Sequence, residues 1–155
     1  MTEDSMLLDH FRAQQLLNSY TRMVDARDLD GLAGIAHPDI VLVRSVDGER
    51  RGREAFLDLY RDFAASEVQD SQHMTTNLEV GAIGGGAVSM KSCFMAITTH
   101  PEGARMTWGR YDDEMAEHEG VWVLTAKRIV VTRTAVVGAD MLAPLQASSF
   151  GNLSP

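Results

Sequence analysis

The sequence predicts one α+β domain in which N-terminal helices pack on a curved antiparallel sheet and enclose a small-molecule pocket. Three observations carry this expectation. Apolar residues recur at three- and four-residue steps through the first part of the chain, the period changes to two from Gln72 onward, and the two-period runs are separated by glycine-containing turns. Helices first and strands last is the pattern of an α+β fold, and a sheet with this much apolar alternation must bury one face against those helices.

Leu7, Leu8, Phe11, Leu16, Leu17, Tyr20, Met23 and Val24 predict a first helix from Ser5 to Ala26, with Ser5 as its N-cap. Residues 28–36 predict a short second helix, which His37-Pro38 should end because the residue before proline avoids the α region. Ile40-Val41-Leu42-Val43 is β-branched and apolar, and Asp47-Gly48 supplies the turn that folds it back as a hairpin. Phe56, Leu59, Tyr60 and Phe63 then repeat at i, i+3, i+4 and i+7, predicting a third helix over Arg53 to Ala65. Four strands near 72–81, 86–98, 105–117 and 121–134 complete an antiparallel meander. The domain is expected to span 1–136, leaving residues 137–155 as a tail that is either disordered or, through Met141-Leu142-Ala143-Pro144-Leu145, a lid over the pocket.

Composition narrows the function. With 155 residues, 45% of them apolar, one core suffices. The net charge of −8 opposes the positive field that phosphate backbones require, so no nucleic-acid partner is expected. The one basic cluster, Glu49-Arg50-Arg51-Gly52-Arg53, reads as a solvated hairpin and helix start. A single Cys93 precludes an internal disulfide, and no apolar run approaches the ~20 residues that span a bilayer, so no membrane association is expected. The acidic start Met1-Thr2-Glu3-Asp4 lacks the features of a signal peptide, which leaves a cytoplasmic location as the expectation. Gly84-Gly85-Gly86 lacks the Lys-Ser/Thr of a phosphate loop and reads as a turn. The five histidines are scattered and Asp112, Asp113, Glu114, Glu117 and Glu119 alternate as solvated charges do, so no metal is expected.

Three residues remain as candidates for chemistry, and each has a structural alternative. Asp25 lies three residues after Arg22 and could form a surface ion pair. A lone strand histidine such as His73 is commonly structural, and Arg128, between Ala126 and Val130, could close a buried ion pair.

Val24-Asp25 with Gly31-Leu32-Ala33, then residues 73–78, then Gly109-Arg110-Tyr111-Asp112-Asp113-Glu114, Gly120-Val121-Trp122 and Lys127-Arg128 follow a recognisable order and spacing. On these residues the chain resembles the SnoaL-like branch of the nuclear-transport-factor-2-like superfamily, particularly its hexachlorocyclohexane dehydrochlorinase and scytalone dehydratase relatives. The resemblance implies a cystatin-like fold whose curved sheet forms a cone-shaped pocket, and a dyad of a helix aspartate with a strand histidine, matching Asp25 and His73, with Arg128 matching the last-strand arginine of the dehydrochlorinase. Tyr20 stands where the dehydrochlorinase has a lysine and Leu42 where it has a tryptophan, so its substrate does not carry over.

The expected chemistry is removal of a proton next to a leaving group or carbonyl, with His73 as base, Asp25 holding the imidazole in one tautomer, and Arg128 offsetting negative charge. Such a reaction needs no cofactor. The expected substrate is small, hydrophobic and cyclic, held by walls from Leu42, Phe56, Tyr60, Phe63, Phe94 and Trp108, with Tyr20 either orienting it or packing in the core. Tyr111 and Trp122 read as structural. A lyase or dehydratase leads, with a ketosteroid-isomerase-like isomerase, a polyketide cyclase and a non-catalytic binding or assembly module as alternatives. Relatives with this architecture pair or trimerise, so a homo-oligomer is expected.

Overall fold

A computed structural model describes residues 3–142. Helix α1 (Glu3–Ala26) begins two residues before the serine expected to cap it, so Ser5 lies in its first turn rather than at its boundary. Asp4 is favourable there, because a carboxylate complements the positive end of the helix dipole. Ala13, Leu16, Leu17, Tyr20 and Val24 form the buried stripe of α1, whereas Leu7, Leu8 and Phe11 stay exposed. The apolar period in the first turns therefore does not report burial.

Asp28 caps α2 (Leu29–Gly34), its Oδ1 accepting the Gly31 amide at 2.8 Å. The helix ends before His37-Pro38, which lie instead inside β1 (Ala36–Arg44). The Ile35 carbonyl accepts the Leu124 amide at 2.8 Å, so the chain is already committed to the sheet. Pro38, which has no amide to donate, falls where pairing with the neighbouring strand is interrupted between Ala36 and Val41. The turn at Gly48 (φ 85°) returns the chain as β2 (Gly48–Arg51), and α3 (Arg53–Ala64) follows, burying Phe56, Leu57 and Tyr60.

The meander consists of β3 (Asp70–Gly84), β4 (Ala87–His100), β5 (Gly103–His118) and β6 (Val121–Gly138). The six strands lie in the order β2-β1-β6-β5-β4-β3, forming a curved, unclosed sheet with the helices on one face. All neighbours are antiparallel except β1 and β6, which run parallel. Register shifts at Thr76/Glu79 in β3, where Asn77 has φ 56°, and at Trp108/Gly109 in β5 bend the sheet. Gly109 is required at the second, since a Cβ there would stand 1.9 Å from the Val130 carbonyl oxygen. Strand β6 runs two residues past the boundary expected at 136, because Ala104 and Gly103 pair with Val137 and Gly138. A short 3₁₀ turn (Ala139–Met141) follows. Of the expected lid segment, Ala143, Pro144 and Leu145 lie outside the described residues.

The core contains a fully buried ion pair. Lys127 Nζ lies 2.7 Å from Asp113 Oδ2, both side chains at 0% exposure, and Asp113 Oδ1 accepts the Arg128 amide at 3.1 Å. This corrects the reading of Asp113 as a solvated hairpin charge: Tyr111, Asp113 and Met115 occupy alternate inward positions of β5. Burial pushes Lys127 down to about 8 against the pull of Asp113, and pushes Asp113 above the usual carboxylate range. Lys127→Met alone should destabilise the fold by about 3–5 kcal/mol, because an uncompensated carboxylate stays buried, whereas pairing it with Asp113→Leu should recover most of that loss. Urea denaturation of both variants measures the difference.

Candidate active site

Asp25 sits in the last turn of α1, and its carboxylate meets strand β3 instead of Arg22. Oδ1 accepts from Ser71 Oγ at 2.9 Å and lies 2.6 Å from His73 Nδ1, and Oδ2 accepts the His73 backbone amide at 2.8 Å. Arg22 turns to the Asn18 carbonyl. The same aspartate thus fixes both the backbone and the ring of His73. With a carboxylate on Nδ1, the neutral ring carries its proton there and leaves Nε2 with a free lone pair. Both side chains are largely buried, His73 at 14% and Asp25 at 22% exposure. Phe63 packs edge-on against the imidazole, with centroids 6.2 Å apart.

His73 forms part of the wall of a cavity of about 430 Å³ between the helices and the inner sheet face. Of the residues expected to line it, Tyr20, Tyr60, Phe63 and Phe94 do so. Tyr20 and Tyr60 share a hydroxyl–hydroxyl hydrogen bond of 2.9 Å, and the Tyr20 ring meets both Tyr60 and Tyr111 edge-on. Phe94 stacks on Tyr111 with centroids 4.4 Å apart. Tyr111, read as structural from the sequence, is therefore a cavity residue as well as a packing one. Burial raises the Tyr20, Tyr60 and Tyr111 hydroxyls well above their ordinary values, so all three remain neutral at physiological pH.

Four expected residues are placed elsewhere. Leu42 and Phe56 are fully buried in the core and do not reach the cavity wall. Trp108 pairs with Met95 on the outer sheet face, since the inward residue opposite Phe94 is Gly109. Phe94 and Trp108 cannot both face the cavity in this register. Arg128 also points outward, where it bonds Glu114 Oε1 at 2.7 Å and is 36% exposed. The cation that β6 sends inward is Lys127, whose Nζ sits over the Tyr111 ring at 3.1 Å and the Tyr20 ring at 4.2 Å. A one-residue change of face separates the two.

The cavity also includes Arg44, His100 and Arg105, which the sequence reading passed over. The signal for the last two was present. His100 continues the alternation Phe94, Ala96, Thr98 along β4, and Arg105 continues Tyr111, Gly109, Thr107 along β5. A larger hollow, about 840 Å³, lies on the outer face among Met74, Cys93, Met95, Met106 and Trp108, and it contains no acid–base pair. Among the described residues no group of three or more His, Cys, Asp or Glu side chains could hold a metal. No described helix is long and apolar enough to cross a membrane.

The profile of the SnoaL-like domain matches residues 5–128. The chain belongs to that family. Comparison with curated proteins gives no match. Among solved structures, a type 2 hexachlorocyclohexane dehydrochlorinase superposes with a TM-score of 0.81 at 20% identity, covering 94% of this chain and 99% of its own. A scytalone-dehydratase-like protein from Novosphingobium aromaticivorans gives a TM-score of 0.80 at 15% identity, covering 96% of this chain and 100% of its own. A protein with a cystatin-like fold from Nostoc punctiforme gives 0.64 at 16%, covering 81% and 92%. At these identities the superpositions establish the SnoaL-like, cystatin-like fold.

In the SnoaL-like site, ¹⁵N-edited spectra should find neutral His73 protonated on Nδ1. Asp25→Ala should shift the population toward the Nε2–H tautomer, and an unchanged spectrum would mean that the carboxylate does not orient the ring.

Proposed function

We propose that this SnoaL-like protein is a cofactor-independent lyase of the dehydratase type, acting on a small hydrophobic cyclic molecule. The observation that carries the reading is the 2.6 Å contact between His73 Nδ1 and Asp25 Oδ1, beside an apolar cavity. With Nδ1 engaged, Nε2 is the ring atom able to take a proton from a ligand carbon. The developing imidazolium is stabilised by the carboxylate beneath it. Electrons from the broken C–H bond form the new double bond as the leaving group departs, or, in an isomerase, delocalise onto a carbonyl. Polyketide cyclisation begins with the same proton abstraction and differs in the acceptor carbon.

Tyr20 and Tyr60 support the same reading: within the pair one hydroxyl donates to the other, and the second keeps its proton for an oxygen that gains negative charge. Arg128, held outside by Glu114, has no part in this mechanism. The resemblance to dehydratase-type and dehydrochlorinase structures is consistent with elimination as the reaction class. Self-association belongs to the reading too: Met74 and Met95 stand exposed beside Met106 and Trp108 on the outer sheet face, a surface suited to a second copy.

Thermal-shift screening of cyclic ketones, alcohols and halides should identify ligands, and hits should exchange their acidic C–H with solvent deuterium. His73→Ala should reduce exchange or turnover by about a hundredfold to ten-thousandfold while the protein remains folded. Asp25→Asn should lower turnover and leave ligand binding in place. Wild-type rates in both variants would refute the mechanism, and tight binding without exchange in the wild type would indicate a non-catalytic binding module.

A further inference from the structure

We infer that the ligand of this cavity is a hydrophobic molecule bearing a carboxylate, and that Arg105 receives the carboxylate. This rests on the reading above of the cavity as the ligand site. Its first support is a reversal of charge. Acidic residues outnumber Lys and Arg by 22 to 14 in the chain, yet the described cavity wall contains four basic residues, Arg44, His73, His100 and Arg105, and no acidic one. A surface with a net charge of −8 repels small anions, so a local basic wall is what an anionic ligand would need in order to enter.

Its second support is that only one of the four is uncommitted. Arg44 Nη1 pairs with Asp47 Oδ2 at 3.0 Å, His73 is held by Asp25, and His100 Nε2 lies 3.0 Å from Thr98 Oγ1. Arg105 has no ion pair or hydrogen bond among the described residues. Its cross-strand partners are Thr98 and Val136, neither of which can neutralise it. A guanidinium offers a planar fork that matches a carboxylate with two parallel hydrogen bonds. An apolar cavity otherwise opposes burial of a charge, so a counter-ion on its wall decides which ligands are tolerated.

The register places this cation relative to the base. His73 pairs with Ala96 and Ala96 with Thr107, so Arg105 lies two strands across and two residues along from His73. At ~4.8 Å per strand and ~3.3 Å per residue, their Cα atoms are about 12 Å apart. Both residues line the cavity, Arg105 exposed to solvent and His73 largely buried, so a ligand of a few ring atoms and a carboxylate is of the size that joins them. The carboxylate at Arg105 would thus hold the ligand with its acidic C–H toward Nε2 of His73.

The test compares trans-cinnamate with trans-cinnamamide, which share shape and differ in charge, by calorimetry on the wild type, Arg105→Gln and Arg105→Lys. The wild type should bind the anion about tenfold more tightly than the amide, and Arg105→Gln should bring the two within about twofold of each other. Arg105→Lys should retain part of the preference. Unchanged affinity for the amide in Arg105→Gln confirms an intact cavity. Equal affinities in the wild type, binding of neither probe, or a preference that survives Arg105→Gln would overturn the inference. Turnover is not part of this readout, so an inert dyad would leave it unaffected, and an uninvolved Arg105 would leave the His73 experiment unaffected.

Discussion

The carboxylate of Asp25 is the constraint around which the site is arranged. A negative charge in the last turn of a helix faces the negative end of the helix dipole, so Asp25 stands where a carboxylate is intrinsically disfavoured. Three donors from β3 offset this: the Ser71 hydroxyl, the His73 amide and the His73 ring. Because β3 is an edge strand, its outer side has no neighbour in the sheet to align it, and Asp25 of α1 bonds to it there. Immediately afterwards Arg27 adopts φ 57° and its guanidinium bonds the Val68 carbonyl, which fixes the segment entering β3 from the other side. The imidazole is held by helix and strand together, which is the rigidity a positioned base requires.

Most of the elements were legible in the sequence because each carries a strong period or a strong turn. The Asp47-Gly48 turn, the Phe56/Tyr60 stripe and the four long strands follow directly from chain chemistry. Boundaries were harder to read where tertiary contacts override local preference. The Ile35–Leu124 hydrogen bond draws His37-Pro38 into a strand, and the parallel pairing of β1 with β6 has no signature within either segment. Asp25 illustrates the limit for the site. From spacing alone Arg22 was an equally good partner, and only the position of β3, more than forty residues away in sequence, decides between them.

Side-chain facing was the least legible feature, for a definite reason. In a strand whose two faces are both partly apolar, composition does not say which is inward. On β5 the odd positions run Arg105, Thr107, Gly109, Tyr111, Asp113, and the even ones Met106, Trp108, Arg110, Asp112. The even set contains the tryptophan and so reads as the cavity wall, yet it is the outer face. Gly109 was the available clue: its lack of a side chain permits the bulge at which β5 and β6 approach, and Phe94 packs across it onto Tyr111. The same inversion exchanged Arg128 for Lys127.

That exchange alters the electrostatics of the cavity. A charged Arg128 at the wall would have presented its cation directly to a ligand. Lys127 instead lies behind the tyrosine rings, its Nζ over the faces of Tyr20 and Tyr111 and bonded to Asp113. The pair is neutral as a unit, and desolvation disfavours both of its charges, so little net field reaches the cavity through the rings. Tyr20 and Tyr60 then line the cavity as neutral phenols rather than as phenolates, since burial holds both above the physiological range. The cavity thus has the imidazole of His73, oriented by Asp25, on one wall and the guanidinium of Arg105 on another. A symmetrical apolar cavity could bind a ligand in several orientations. This one distinguishes its ends.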